Sequence, residues 1–372
     1  MHITDNPKDK ISTVQAIVFI SSLTVGAAII TLPRSAARSV NTPDVWASIL
    51  FGGLIAIIPS IILVKLSQRF PGKTCFQFNR IITGKFLGWI LSFLMIAYYT
   101  LLAGFEGRMM VELVRVYLLP RTPIEVALMA FLWAGTYLTV SGINPIARAF
   151  EFYFPIVIFI FFSVLFLGLQ RFELDNLRPL FGQGFKPVLR GIMTTFLTYA
   201  GFETMMILTA FMKEPWKAVK VVVIGIGISI AFYVSLSVVV VGVLTVEEIK
   251  TLAWPTIALV NSIEYPGGFV ENFQVFFLIV WIFAIYTTFV SSHYIACLGL
   301  GQISNKAFNS FVYALIPIIY IVALAPQNLE EVFQLGDYIG YFGVFMGGIV
   351  PVILLFIAII RREGCAEKQG EK

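Results

Sequence analysis

Apolar runs long enough to cross a lipid bilayer recur along almost the whole of this 372-residue chain. Because a helix rises about 1.5 Å per residue, a run of about 20 apolar residues spans the roughly 30 Å hydrocarbon core. Charged residues make up 13% of the chain, whereas soluble domains carry about 25%. These features predict an all-α polytopic membrane protein whose surroundings are the lipid bilayer.

Charged residues, prolines and glycines divide the apolar runs into about ten predicted spans. Their limits are 11–33, 44–66, 86–118, 123–143, 150–169, 188–211, 219–244, 270–299, 307–325 and 338–360. The loops on the side of the chain termini hold about twice as many Lys and Arg residues as the opposite loops. The positive-inside rule therefore predicts that both termini are cytoplasmic.

Few residues of this chain are suited to catalysis or metal binding. Cys75, Cys297 and Cys365 are widely separated and the histidines are only His2 and His293, so the spacing predicts neither a disulfide framework nor a metal site. The sequence has no phosphate-binding loop and no nucleophile–base pairing, which argues against an enzyme and against a cofactor. The basic residues lie in loops rather than in a stripe, so no nucleic-acid partner is expected.

The first and sixth spans share an unusual feature, since each is polar and carries a glycine near its middle. The first reads ISTVQAIVFISSLTVGAAIITLP and the sixth reads GIMTTFLTYAGFETMMILTAF. Ten spans divide into two halves of five, and because five is odd the second half crosses the membrane in the inverted sense. The pattern predicts a 5+5 inverted repeat within one transmembrane domain, residues 1–372, with repeat one at about 11–169 and repeat two at about 188–360.

A broken helix frees backbone N–H and C=O groups inside the membrane, which is costly unless something binds them. The N-terminal end of a half-helix offers N–H groups and a positive dipole end to a carboxylate, and the C-terminal end of the other half offers carbonyls to an ammonium group. The two breaks therefore predict a binding site for a zwitterionic amino acid. The alternative is that Gly26 only permits close helix packing, as small residues do in membrane bundles.

The two broken spans also resemble a known superfamily. VGAAIITLP is similar to the glycine-containing break in helix one of the amino acid–polyamine–organocation (APC) permeases, and FLTYAGFE is similar to their helix-six signature. The short chain, the ten spans, and the pieces ITLP, RFPGK and GK-x-LG resemble one branch, the endospore germination permeases. Members of this branch are the B subunits of spore nutrient germinant receptors.

The resemblance implies a LeuT-like fold in the spore inner membrane or the cell membrane, with an amino acid held between helices one and six and a signal passed to other germinant-receptor subunits. A proton-coupled amino acid permease is the alternative function. Ala28 departs from the superfamily, where a second glycine is common, and its methyl group favours a small or medium apolar amino acid. The expected ligand-binding residues are Thr24, Gly26, Ala27, Ala28, Tyr199, Ala200, Gly201, Phe202, Glu203, Tyr286 and Thr287.

Glu203 and Glu106 are acidic residues inside predicted spans, where an ionised carboxylate is costly. Glu203 follows the break in span six, and it is either a contact for the ligand amine or a proton, or a structural hydrogen-bonding group. Glu106 lies near the outer surface if span three begins at Lys85, and near the midplane if the span begins later. The second case predicts a water-lined polar path formed by Tyr98, Tyr99 and Glu106.

Three further features leave alternatives open. Arg108 and Glu112 have the spacing of a helical ion pair, which is either internal or solvated. His293 is either a proton relay or a hydrogen-bonded packing residue. The loop 245–270 is expected to fold over the outer face, as a lid or as a partner contact.

Overall fold

The computed structural model describes residues 9–26, 28–263 and 273–364, and within these ranges it contains helices and no β-strand. The α-helices are α1 (Thr13–Val25), α2 (Ala28–Val40), α3 (Val45–Gln68), α4 (Cys75–Thr83), α5 (Lys85–Leu113), α6 (Ile124–Val140), α7 (Ile143–Gly168), α8 (Lys186–Leu197), α9 (Met205–Phe211), α10 (Ala218–Thr251), α11 (Pro255–Ser262), α12 (Phe273–Ser304), α13 (Phe308–Ala314), α14 (Ile316–Leu324), α15 (Leu329–Val344) and α16 (Val350–Ile360). Short π-helical turns extend α5 over Val114–Leu118 and join α15 to α16 over Phe345–Ile349.

The helices agree with the predicted membrane spans. Six continuous helices in the described part of the chain are long and apolar enough to cross a bilayer, and α1 with α2 forms a further span bent by 51°. The remaining three predicted spans correspond to α6, to α8 with α9, and to α13 with α14, which are shorter or broken. The prediction of an all-α polytopic membrane protein with a broken first and sixth helix is confirmed.

Two helices begin earlier than the hydropathy pattern predicts. The fifth predicted span starts at 150, but α7 starts at Ile143. The last predicted span starts at 338, but α15 starts at Leu329, where Asn328 caps the helix by accepting from the Glu331 N–H at 3.0 Å. Acidic residues in a first turn stabilise the helix N-terminus, so a stretch that hydropathy assigns to a loop forms the start of a helix.

The first span is also longer than predicted, because another part of the chain supplies a missing hydrogen bond. Pro33 marks its predicted end, yet α2 continues to Val40. Proline lacks an N–H, so it leaves the carbonyl of Ile29, four residues earlier, without its helical donor. The hydroxyl of Thr256 donates to this carbonyl at 2.8 Å, and the helix continues through the proline.

Two short helices lie in predicted loops. α4 follows α3 and begins with a capping box formed by Thr74 and Gln77. α11 lies within the loop 245–270 and packs against α2. Residues 264–270 of this loop lie outside the described residues.

The helical bundle has two ends, a basal end and a distal end. The basal end is the end at which α1 begins and α16 finishes, and the distal end is the end at which α2 finishes and α15 begins. α5 and α12 pack along each other through the middle of the bundle.

The basal ends of the two broken spans are tied together by backbone hydrogen bonds. The Ile11 N–H donates to the Phe211 carbonyl at 2.8 Å, and the Lys213 N–H donates to the Ile11 carbonyl at 2.9 Å. The Lys10 ammonium donates to the Ala210 carbonyl at 2.9 Å. The last carbonyls of a helix have no partner within that helix, so the segment before α1 provides donors for the end of α9.

Candidate functional site

A cavity of about 370 Å³ lies between the distal halves of the two broken spans and the helices α5, α12 and α15. It extends from the helix breaks to the charged residues of the distal end. Six of the residues singled out in the sequence line it: Thr24, Gly26, Ala28, Tyr98, Glu106 and Ala200. Ala27 lies outside the described residues.

The break in the first span lies directly beside α5 and α12. A Cβ atom at Gly26 would overlap the Thr288 hydroxyl oxygen and would sit 3.4 Å from Glu106 Oε1. Glycine is required here because of this close approach. Glu106 is buried, with 3% exposure, and its carboxylate lies beside the break. α5 begins at Lys85, the start from which a position near the outer surface was expected, so the length of helix before Glu106 did not predict where this residue lies.

The carbonyls at the end of α1 are satisfied by hydroxyl groups from other helices. The Tyr233 hydroxyl of α10 donates to the Thr24 carbonyl. The Thr288 hydroxyl of α12 donates to the Leu23 carbonyl at 3.4 Å. Free helix-end carbonyls are costly in a membrane, and these contacts remove that cost at the α1 side of the break.

The break in the sixth span is occupied by a carboxylate of its own sequence. Gly201 adopts a φ of 126°, a region that favours glycine. Its N–H donates to Glu203 Oε2 at 2.7 Å, and the Tyr98 hydroxyl donates to Glu203 Oε1 at 2.7 Å. Glu203 is fully buried and does not line the cavity, so the geometry matches the structural alternative for this residue.

Three other residues that were expected in the ligand site or the polar path are buried and do not line the cavity. The Tyr199 hydroxyl donates to the Ile49 carbonyl at 3.0 Å. Tyr99 shares a hydrogen bond with the Thr204 hydroxyl at 2.8 Å. Phe202 is fully buried. Their part in ligand binding or in a polar path stays a prediction.

The two expected residues of α12 lie away from the cavity. The Tyr286 hydroxyl donates to the Ala134 carbonyl of α6 at 2.9 Å, and the Thr287 hydroxyl donates to the Ala284 carbonyl of its own helix at 2.7 Å. The next residue, Thr288, lines the cavity instead. A shift of one residue on a helix turns the side chain by about 100°, and hydropathy does not determine that rotation.

The distal part of the cavity contains charged residues that sequence analysis did not select. The Arg34 guanidinium lies 4.0 Å from a Glu330 carboxylate oxygen and 4.6 Å from the centre of the Phe333 ring. Arg38 and Asp337 also line this region. The spacing of Arg34 and Arg38, four residues apart, was an available signal for one helix face, but both were assigned to a loop beyond Pro33.

Another charged pair, formed by two residues of α5, does not line the cavity. Arg108 Nη2 lies 2.9 Å from Glu112 Oε1, and both residues are buried. Arg108 also donates to the Ala323 carbonyl at 3.3 Å. The internal alternative for this pair is therefore the one that the structure shows.

His293 is also fully buried, and its Nε2 lies 3.0 Å from the Val312 carbonyl of α13. This contact joins α12 to α13 and does not involve the cavity lining.

A cavity between two broken helices is typical of a fold that many membrane transporters share. The structure superposes on Mhp1, a nucleobase-cation-symport-1 family transporter, with a TM-score of 0.68 and 15% identity, covering 97% of this chain and 82% of that one. It superposes on MhsT, solved in complex with L-phenylalanine, with a TM-score of 0.65 and 13% identity, covering 95% of this chain and 90% of that one. The protein therefore has the LeuT-like fold expected from the sequence.

Sequence comparison identifies the family within this fold. The family model described as spore germination protein matches residues 10–332. Spore germination protein YndE of Bacillus subtilis (strain 168) is 41% identical over 359 residues, which cover 96% of this chain and 99% of that protein. Spore germination protein A2 of the same organism is 33% identical over 353 residues, which cover 95% and 96%. The chain belongs to the spore germination protein family.

Proposed function

We propose that this protein is a germinant-receptor subunit that binds an L-amino acid in the cavity between the two helix breaks and passes the signal to other receptor subunits. In this proposal the protein lies in the spore inner membrane, with its basal end and both termini in the cytoplasm. Its distal end then faces the side from which a nutrient arrives.

The observation that carries the proposal is the position of the cavity. Its volume of about 370 Å³ falls within the roughly 300–1,000 Å³ of ordinary small-molecule sites. It lies against both helix breaks, the points at which half-helices face a binding site in inverted-repeat folds. A receptor needs only a ligand that binds one arrangement of these half-helices more tightly than another, because such a ligand shifts the population toward that arrangement.

The hydrogen bonds at the basal end support a receptor with one accessible side. Lys10 and Ile11 bind the end of the sixth span, whereas the cavity lies in the distal half of the bundle. A permease requires that this basal contact opens so that the ligand leaves on the other side. The LeuT-like fold favours this second function, a proton-coupled amino acid permease, since its members include transporters.

The two functions are separated by measuring binding and accumulation in the same preparation. The full-length protein alone is reconstituted in proteoliposomes, and radiolabelled L-amino acids are added with and without an imposed proton gradient. We expect saturable binding that does not exceed the protein concentration, with no gradient-driven accumulation. Accumulation of an amino acid against its gradient overturns the receptor proposal and establishes the permease.

A further inference from the structure

Two buried carboxylates lie near the helix breaks, and only one of them faces the cavity. Both oxygens of Glu203 accept hydrogen bonds from the protein, from the Gly201 N–H and the Tyr98 hydroxyl. Glu203 is absent from the cavity lining, whereas Glu106 is part of it. A ligand in the cavity therefore meets the carboxylate of Glu106 and not that of Glu203.

The charged residues of the cavity are divided between its two ends. Among the described lining residues, Arg34 and Arg38 lie on α2 and Glu330 and Asp337 lie on α15, all toward the distal end. Glu106 is the charged lining residue beside the break. Arg34 is six residues beyond Ala28, the first residue of α2, so the distal charges begin about 9 Å further along this helix.

Glu106 also occupies the place in which a ligand carboxylate was expected. α2 begins at Ala28, and the N-terminal end of a helix stabilises a negative charge beside it. Glu106 Oε1 is 3.4 Å from the Cβ position of Gly26, so a carboxyl group of the protein already lies beside that end. A ligand carboxylate at the same point would lie a few ångströms from a like charge, which is unfavourable at low dielectric.

We propose that Glu106 binds the cationic amine of the ligand, so that the amine faces the break and the carboxylate points toward the distal end. This inference rests on the proposed function and reverses the orientation that helix dipoles alone suggest. An ammonium group has three donors, and the Thr288 hydroxyl lies beside the same position as a second acceptor. The chemical class of the ligand is then a primary amine with a small apolar body, for which the carboxylate is not essential.

The test compares matched ligands on the full-length protein in lipid nanodiscs. Each triad consists of an amino acid, its decarboxylated amine and its deaminated acid: L-valine, isobutylamine and isovalerate, or L-leucine, isopentylamine and 4-methylpentanoate, or L-phenylalanine, phenethylamine and 3-phenylpropionate. A ligand that binds the folded state stabilises it by RT ln(1 + [L]/Kd), so the melting temperature rises with ligand concentration. The concentration dependence of this rise gives the affinity of each member.

We expect the amine of at least one triad to raise the melting temperature of the wild-type protein, and the corresponding acid to leave it unchanged. Glu106→Gln removes the charge and lowers the affinity for that amine by about 10- to 100-fold. Glu106→Asp keeps the charge and retains the preference for the amine over the acid, which separates loss of charge from loss of folding. Glu125→Gln, at an exposed position on α6, is the matched control and leaves all affinities unchanged.

Two results overturn the inference while leaving the proposed function in place. One is binding of the amino acid and its deaminated acid but not of its amine. The other is equal affinity of the amino acid for the wild-type protein and for folded Glu106→Gln. If no member of any triad changes the melting temperature of the wild-type protein, the proposed apolar amino acid ligand falls together with this inference.

Discussion

The breaks in the first and sixth spans are similar in sequence but differ in what binds their backbone groups. At the sixth-span break the Gly201 N–H is bound by Glu203, and Tyr98 fixes the other oxygen of that carboxylate. At the first-span break Gly26 lines a cavity, beside Glu106 and Thr288. One break is closed by the chain itself, and the other faces the space that a ligand can enter.

Local sequence explains this difference. Glu203 follows Gly201 by two residues, so its side chain reaches back to the glycine N–H. The residues after Gly26 are alanine and isoleucine, which have no polar side chain to offer. Other helices therefore supply the polar groups around Gly26. A ligand at this break competes with those groups for hydrogen bonds, and not with a side chain of the same span. We therefore propose that the sixth-span break is a structural joint and that the first-span break is the element that responds to the ligand.

The largest expected effect comes from filling the first-span break. Gly26→Val places a side chain against Thr288 and Glu106, and overpacking at this point closes the ligand space. We expect the affinity for the bound amino acid to fall at least about 100-fold, or roughly 3 kcal/mol, when measured by radioligand binding in proteoliposomes. Gly227→Val is the matched control, because a Cβ atom at Gly227 meets nothing within 4 Å. Unchanged affinity in folded Gly26→Val would show that this break is not the binding site.

Glu203→Gln is expected to lower stability more than it lowers binding. A carboxylate accepts from both Gly201 and Tyr98, whereas an amide has one acceptor oxygen and turns a donor toward the other partner. One buried hydrogen bond is lost, at a cost of about 1–3 kcal/mol in the free energy of unfolding. Thermal unfolding in nanodiscs measures this change. A larger loss of affinity than in Gly26→Val would reverse the roles assigned to the two breaks.

Tyr98→Phe removes only the hydroxyl from the same joint. The Glu203 carboxylate loses one of its two donors, so we expect a decrease of about 1 kcal/mol in the free energy of unfolding. The double variant with Glu203→Gln closes a mutant cycle, and direct contact predicts a coupling free energy of about 0.5–3 kcal/mol. Strictly additive effects would contradict the hydrogen bond between the two side chains.

The smallest expected effect is a pH dependence at the basal end. Glu214 accepts from the Lys217 ammonium and from the Thr13 hydroxyl, and these bonds hold the pKa of its carboxyl below the ordinary value of 4.5. Because the pKa is lowered in the folded state, the stabilisation is fully present above 4.5 and is lost as the pH falls through the lowered pKa. The difference in melting temperature between wild type and Glu214→Gln should therefore shrink on acidification. A difference that grows as the pH falls would contradict this assignment.

Much of the fold could be predicted because a membrane restricts the chain to structures that satisfy their own backbone groups. Long apolar runs, and glycines among polar residues in two of them, were sufficient to predict an all-helical bundle with broken first and sixth spans. The limits of α2 and α15 differed, because Pro33 in α2 is accommodated by a hydroxyl from α11 and the acidic first turn of α15 is accommodated by a helix cap. Hydropathy alone contains no information about these partners.

The residues of the candidate site were likewise predictable only in part. The sequence by itself determined that Gly26 and Gly201 interrupt helices and that Glu106 and Glu203 lie inside spans. Only the tertiary structure decided which carboxylate faces the cavity. Glu203 is turned away from it by a hydrogen bond with Tyr98, a residue 105 positions away in the chain. The rotation of α5 and α12 about their axes places Glu106 and Thr288 at the break and turns Thr287 away. That rotation is set by packing among many helices, which a local pattern of apolar and polar residues does not specify.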